Sequence, residues 1–364
     1  MVKKVKEGNL YQVSIDRLFE GMSVVEDIYN ADATTLIIRR GRIINSNDIE
    51  KIKSLNAGKD NIYVSGGTFK AMTNESPPVD VVSISEIEEA TGYAAAKDET
   101  FVLLDEIATN KTVKQEALLS VSAELSNRLE VTSPSVILSL INALAPVDEY
   151  LQRHCVNVSL LNGLIGQWLG LEKKEIDKLV LVGLLHDCGK ALVPSQVLTV
   201  PRKLTIIEFE VIKMHSVYSY DLLTDFPQSV RQGARYHHEK VNGKGYPNHL
   251  TNEDIPWEAR ITAISDIYDA MVSQRAYKDP RSPFSIMAML SRLRDSEVDG
   301  RLVDVFIKSM PEELMDKPVV MSDGSTGVLR SYDPDDIEYP MIEVGGRIIK
   351  SDEQYHCIAM LNRD

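Results

Sequence analysis

Cysteine is scarce in this sequence: three in 364 residues, at 155, 188 and 357, with no Cys-x-x-Cys pair. An odd, scattered set argues against a disulfide framework and a thiolate zinc site, so the three read as buried, reduced thiols. Positive charge is also in deficit. Forty Lys and Arg against 54 Asp and Glu leave a formal charge of −14. Binding of DNA, RNA or an anionic membrane asks for a broad basic face, so any anionic ligand must find a local positive site. A membrane span is lacking: the uncharged stretch 131–147 contains Pro134 and Pro146 and carries Ser135, Ser139 and Asn142. The first residues, Met1-Val2-Lys3-Lys4-Val5-Lys6, have charge but no apolar run behind them, so no signal peptide is expected and a cytoplasmic location is. Internal repeats and long low-complexity tracts are missing too.

The bulk composition, 43% apolar and 26% charged, is that of a soluble globular protein, and the length suits two or three domains. Short β-like runs at 11–15, 22–28 and 34–38 precede one helix. Asn45 or Ser46 can cap it, Ile49, Ile52 and Leu55 share a face, and Gly58 closes it. A strand follows at 62–64. Gly66-Gly67 and Pro77-Pro78 then mark a boundary near 66–80. From 83 to 144 the spacing predicts helices, with Phe101, Leu104, Ile107 and Ala108 on one core stripe and Leu118, Val121, Leu125 and Leu129 on another. Helical texture continues to about Met310. Beyond Pro311, β-like runs at 319–321, 326–329 and 341–344 are punctuated by Asp323-Gly324 and Gly345-Gly346. The expected architecture is mainly α. It comprises an N-terminal accessory α/β domain (1–75), a helical lead-in (76–145), a helical main domain (146–312) and a small β appendage (313–364).

Six of the seven histidines fall between residues 154 and 249, and the first 153 residues contain none. His154, His186-Asp187, His215, His237-His238 and, further on, Asp266 all lie on or beside predicted helices. Imidazole and carboxylate are ligands of transition metals. His186 and Asp187 end an apolar helical run, where a charged pair needs a partner. One Asp can offer an oxygen to each of two metals, so Asp187 bridges the two candidate pockets. The first is His154, His186, Asp187 and Asp266; the second is Asp187, His215, His237 and His238. Singly, each of these residues has a bland reading as a core or surface side chain. His249 and His356 belong to no such pattern and are left structural.

The order and context of these residues carry a resemblance. Leu184-Leu185-His186-Asp187-Cys188-Gly189-Lys190, Lys213-Met214-His215, His237-His238-Glu239-Lys240-Val241-Asn242-Gly243-Lys244-Gly245-Tyr246-Pro247, and Ser265-Asp266-Ile267-Tyr268-Asp269-Ala270 with Arg275-Ala276-Tyr277-Lys278 resemble the HD-GYP family over about residues 148–310. The resemblance implies an HD-type helical bundle, in the HD phosphohydrolase superfamily, that hydrolyses cyclic di-GMP with two or three metal ions, often iron. It implies His154, His186, Asp187, His215, His237, His238 and Asp266 as metal ligands. It further implies Asp187 and Lys190 as catalytic, with Lys190, Tyr246, Asp269, Ala270, Arg275 and Lys278 as substrate contacts. Lys190, Arg275 and Lys278 with two cations would make the local positive site that the acidic chain otherwise lacks.

Several positions depart from the family pattern. Tyr150 stands where three-metal members have a glutamate, and a phenol is a poor ligand at neutral pH, so two metals are expected, iron first and manganese second. Asn242 replaces the Asp of the Asp-Gly turn. Val200-Pro201-Arg202 replaces Lys-Pro-Gly, Ser219 replaces glycine and Ala276 replaces proline. The expected function is a metal-dependent phosphodiesterase that converts cyclic di-GMP to pGpG or GMP. A catalytically weak HD-GYP protein that serves as a cyclic di-GMP receptor or interaction module is the alternative, and a mixed-valent oxygenase is a third reading that the Gly-Tyr-Pro loop disfavours. A homodimer or a signalling-protein partner stays open.

Overall fold

The structure is a computed structural model that describes residues 3–4, 11–14, 23–24, 28–29, 36–38, 42, 44, 46–54, 61–65, 92–142, 150–198, 200, 202–272, 282–323 and 325–360. The chain divides into two compact units, one made mainly of Met1–Val81 and one mainly of Val82–Ser322 and Thr326–Asn362.

In the first unit, β1 (Lys3–Lys4), β2 (Tyr11–Ser14), β6 (Asn61–Ser65) and β3 (Ser23–Val24) form an antiparallel sheet in that spatial order. β4 (Ile28–Tyr29) and β5 (Leu36–Ile38) form a separate hairpin-like pair, and α1 spans Ser46–Ser54. Val24, Ile28, Ile38, Ile44 and Ile52 are buried. Asp48, buried on α1, takes a two-pronged bond from Arg42 at 2.8 and 3.0 Å, which satisfies its charge. Leu55, Gly58 and the expected boundary at 66–80 lie outside the described residues.

The second unit is helical. Its elements are α2 (Tyr93–Asn110), α3 (Gln115–Val131), α4 (Pro134–Ile141), α5 (Tyr150–Trp168), α6 (Lys173–Leu185), α7 (Ile206–Leu222), α8 (Gln228–Tyr236), α9 (Trp257–Val272), α10 (Pro283–Leu293) and α11 (Gly300–Leu314). The stripe on α3 is buried as its spacing predicts. On α2 the periodicity is right but the phase is one residue off. Tyr93, Ala96, Thr100, Leu103 and Ile107 face the core, while Phe101 is exposed and Leu104 half-buried. The polar Thr100 tolerates burial because its hydroxyl donates to the Ala96 carbonyl at 2.6 Å. α5, α6 and α9 are locked by buried side chains: Ser159 donates to Val180 O at 2.8 Å, and Asn162 to Leu179 O at 3.0 Å and Thr262 Oγ1 at 2.9 Å. The three cysteines are free and buried, and burial pushes the Cys155 and Cys188 thiols up to about 12, so both stay protonated.

After α11, β7 (Pro318–Met321), β8 (Thr326–Ser331), β9 (Met341–Val344), β10 (Arg347–Lys350) and β11 (Cys357–Met360) form one antiparallel sheet, ordered β10-β9-β8-β7-β11. Gly345 and Gly346, at φ of 58° and 77°, make the left-handed turn that joins β9 to β10. Val319, Met321, Leu329, Ile342 and Cys357 belong to the same hydrophobic core as the helices. Among the described residues, no helix is long and apolar enough to cross a membrane.

Asp299 starts α11. Its buried carboxylate accepts from Arg301 N at 3.0 Å and pairs with Arg260 at 2.9 Å and Arg301 at 3.1 Å. Burial raises its pKa, but the bonds from Arg301 and Arg260 outweigh burial and hold it below the ordinary value. A lowered folded-state pKa means that the stabilisation is present at neutral pH and fades as pH drops through about 4 and below. Asp299→Ala is expected to cost about 1–3 kcal/mol at pH 7 through the lost cap and pair. Denaturant melts at pH 7 and pH 3 check this, and the deficit shrinks at the lower pH.

Candidate metal centre

Five helices and one 3-10 turn converge on one buried point. His154 lies on α5, and His186 follows the last residue of α6. Asp187 begins the 3-10 turn Cys188–Leu192. His215 lies on α7, His237 and His238 follow α8, and Asp266 lies on α9. A helix end leaves carbonyls unpaired and carries partial negative charge, so two helix C-termini aimed at one place favour cations there.

The ring nitrogens are set in advance. His186 Nδ1 bonds Gly183 O at 2.7 Å, His215 Nδ1 bonds Ile212 O at 2.6 Å, and His237 Nδ1 bonds Ala234 O at 2.7 Å. Each carbonyl is three residues back along the chain and can only accept, so Nδ1 carries the proton and Nε2 is left with its lone pair. His154 is fixed in the same sense by Asp269, whose Oδ2 lies 2.7 Å from its Nδ1.

The Nε2 atoms gather on the two oxygens of Asp187. Around Oδ2, His154 Nε2 lies at 3.3 Å and His186 Nε2 at 3.4 Å, and these nitrogens are 3.2 Å from each other. Asp266 Oδ1 completes this group, 3.2 Å from His154 Nε2. Around Oδ1, His215 Nε2 lies at 3.2 Å and His237 Nε2 at 3.8 Å, with the His238 ring centroid 4.0 Å from that of His237. Donor atoms on one cation, each about 2.0–2.2 Å from it, sit about 3.0–3.5 Å apart, which most of these spacings match. Asp187 Oδ1, His215 Nε2 and His237 Nε2 are buried polar atoms with no hydrogen-bond partner, a state that costs free energy unless something cationic meets them. The two donor sets therefore fit divalent metals.

Protonation agrees with that fit. Burial lowers His237 and His238, the latter to about 3, keeping both rings neutral at pH 7. Burial raises Asp187 and Asp266, but it is outweighed. Lys190 and His186 hold Asp187 well below the carboxylate range, and the bond from His154 does so for Asp266. Neutral imidazole and ionised carboxylate are the forms that bind metal.

The remaining expected residues are placed as follows. Lys190 bonds Asp187 directly, so its ammonium sits within the cluster instead of reaching outward. Tyr246 lies beside the cluster, its ring 4.7 Å from that of His238. Ala270 is half-buried on α9. Asp269, expected beside substrate, takes another post: it is fully buried, and its oxygens are engaged by His154 and by Asn157. Arg275, Ala276 and Lys278 lie outside the described residues, as does the side chain of Tyr150.

Two departures acquire a physical sense. Ser219 Oγ accepts from Gly189 N and donates to His186 O, both at 2.9 Å, so it staples the turn that presents Asp187. Gly189 is obligatory there, since a Cβ would lie 2.1 Å from His215 O and 2.4 Å from Ser219 N. Asn242 Oδ1 accepts from Lys244 N at 3.0 Å and keeps the turn without a charge. Sequence reasoning also missed Glu239, whose buried carboxylate holds the Gly-Tyr-Pro loop through Asn248 N at 2.6 Å and Leu250 N at 3.0 Å. An acid directly after the His-His pair was the available signal. Phe209 and Lys213 had been given no role; the Lys213 ammonium stands 5.0 Å from the Phe209 ring and 5.6 Å from that of Tyr246.

Residues 137–302 match the HD domain family. Residues 137–302 thus carry an HD domain, and its motifs resemble those of the HD-GYP family. The chain is 34% identical over 205 residues to a cyclic di-GMP phosphodiesterase response regulator of Xanthomonas campestris pv. campestris, covering 55% of this chain and 54% of that one. It is 32% identical over 188 residues to a 3′3′-cGAMP-specific phosphodiesterase of Vibrio cholerae, covering 50% and 36%. A cyclic di-GMP phosphodiesterase of Thermotoga maritima is 31% identical over 185 residues, with 50% of each chain covered. The chain thus spans about half the length, or less, of these curated relatives. Among solved structures, an HDG"Y"P protein from Bdellovibrio bacteriovorus superposes with a TM-score of 0.52 at 14% identity, covering 83% of this chain and 99% of that one, a likeness of fold alone.

Removing the Ser219 hydroxyl should loosen the HD-domain turn. Ser219→Ala leaves a buried N–H and C=O unpaired, an expected loss of about 1–3 kcal/mol. Equilibrium denaturation measures it, and an unchanged midpoint would show that the staple carries no weight.

Proposed function

We propose that this protein is a metal-dependent phosphodiesterase that hydrolyses cyclic di-GMP to pGpG, with a second cut to GMP open to it. The observation that carries the reading is the division of Asp187, one oxygen toward His154 and His186 and the other toward His215 and His237. Such a carboxylate suits a pair of cations about 3.5–4 Å apart. The curated relatives described as cyclic di-GMP phosphodiesterases support the substrate class. His154, His186, Asp187 and Asp266 would hold one cation, and Asp187, His215, His237 and His238 the other; iron is the first choice and manganese the second, because a His/Asp set with open positions suits six-coordinate ions. When bound, the cations supply Lewis acidity to phosphoryl oxygens and lower the pKa of water.

The side chains do the rest. His154, His186, His215 and His237, locked through Nδ1, hold their Nε2 atoms without reorganisation, so that part of the electrostatic environment is in place before substrate arrives. Lys190 Nζ adds positive charge beside Asp187 for a nonbridging oxygen. Arg275 and Lys278 are assigned to the phosphates by their place in the motif. Tyr246 and Phe209 stand edge to face beside the cluster as aromatic surface for a guanine, with the Lys213 ammonium over both rings and paired to Glu210 at 2.6 Å. Domain limits at 76–145 and 146–312 and a cytoplasmic location belong to the same proposal.

The test is anaerobic purification with metal analysis, then incubation with cyclic di-GMP and chromatography of the products. About two metals per chain and linear pGpG, both lost in Asp187→Ala, are expected. Two metals and bound cyclic di-GMP without product would replace the enzyme with a receptor, and absence of metal would remove the site.

A further inference from the structure

The ligand His154 is held from behind by a row of buried side chains that ends outside the HD-domain match. Asp269 Oδ2 meets His154 Nδ1 at 2.7 Å. Asp269 Oδ1 accepts from Asn157 Nδ2 at 2.7 Å, and Asn157 Oδ1 accepts from Tyr93 Oη at 2.7 Å. All four side chains are buried, none more than 1% exposed. Asn157 lies one turn beyond His154 on α5, Asp269 is on α9, and Tyr93 opens α2, more than forty residues before the family match starts. The Arg153 guanidinium stands 5.0 Å from the Tyr93 ring centre and adds a cationic contact to its seat.

The direction of each bond matters. The Asp269 carboxylate oxygen accepts, so it takes Asn157 Nδ2 and leaves Asn157 Oδ1 to accept the Tyr93 O–H. Asp269 then has one oxygen for Asn157 and one for His154. It holds the proton on His154 Nδ1 and aims Nε2 at Asp187, His186 and Asp266. Without the phenol O–H, Asn157 Oδ1 is left buried without that donor and the amide is held less firmly against Asp269, which loosens the seat of His154. A carboxylate or carbonyl behind a metal-bound histidine typically changes affinity by about 10–100-fold when removed.

We propose that Tyr93 and Asn157 are positioning residues for the metal centre, so that α2, outside the HD domain, sets how tightly the first cation is held. This rests on the metal-centre reading above but not on the identity of the substrate. It also gives the lead-in a route to the site: a displacement of Tyr93 reaches His154 through three hydrogen bonds.

The test is calorimetric titration of manganese(II) alone into the metal-depleted 364-residue chain. Asp269→Asn should weaken the tighter event about 10–100-fold. Tyr93→Phe, which deletes one oxygen, should weaken it about 2- to 10-fold. Tyr268→Phe is the matched control: its buried Oη also donates to an asparagine oxygen, Asn142 Oδ1 at 2.7 Å, yet the Asn142 amide nitrogen goes to Leu138 O and, among the described residues, to no metal-site residue. It should lose stability and keep its affinity. Unchanged affinity in Tyr93→Phe, or an equal loss in Tyr93→Phe and Tyr268→Phe, would overturn the proposal. A wild-type chain that takes up no manganese sinks the metal centre and the relay together, whereas manganese binding without turnover of cyclic di-GMP sinks only the substrate reading.

Discussion

A single carboxylate, Asp187, organises the second unit of this protein. It is buried, ionised and placed where α6 ends, with histidines from α5 and α6 around one oxygen and histidines from α7 and α8 around the other. Burying such a charge is costly unless positive partners compensate. Lys190 supplies part of that compensation within the chain. The unpartnered Oδ1 and the two unpartnered Nε2 atoms beside it mark where the compensation is incomplete.

The scaffold serves that arrangement. Three of the five histidines spend Nδ1 on carbonyls three residues back, and His154 spends it on Asp269, so the orientation of those four rings is set by the scaffold. The turn carrying Asp187 is kept tight by Gly189 and stapled by Ser219. Buried Ser159 and Asn162 tie α5 to α6 and α9 and so fix the ligands' mutual spacing. A phosphodiesterase built this way would need little reorganisation on meeting a phosphate, the condition under which electrostatic stabilisation is most effective.

Much of this was legible in the residues. His154, the His186-Asp187 pair, His215, the His237-His238 pair and Asp266 stand out because few other roles ask for that many histidines in a helical stretch, and the structure brings them together. What was not legible depends on phase and on contacts distant in sequence. On α2 the apolar residues admit two neighbouring stripes, and Thr100, polar by type, lies on the buried one. Asp269 reads as a surface or substrate-facing acid because its partners, 112 and 115 residues away, are invisible to local spacing. Ser219 and Glu239 are likewise ordinary by type and acquire meaning only through the backbone atoms they hold. Strand β10 escaped because Arg347–Lys350 begins and ends on charge, and β11, Cys357–Met360, was not read either.

The central claim is that Asp187 bridges two cations. X-ray absorption at the metal edge of anaerobically loaded protein tests it directly. The account predicts a metal–metal distance of about 3.5–4 Å together with nitrogen and oxygen ligands near 2.0–2.2 Å. A spectrum with light-atom ligands only, from a chain that holds a single ion, would contradict it.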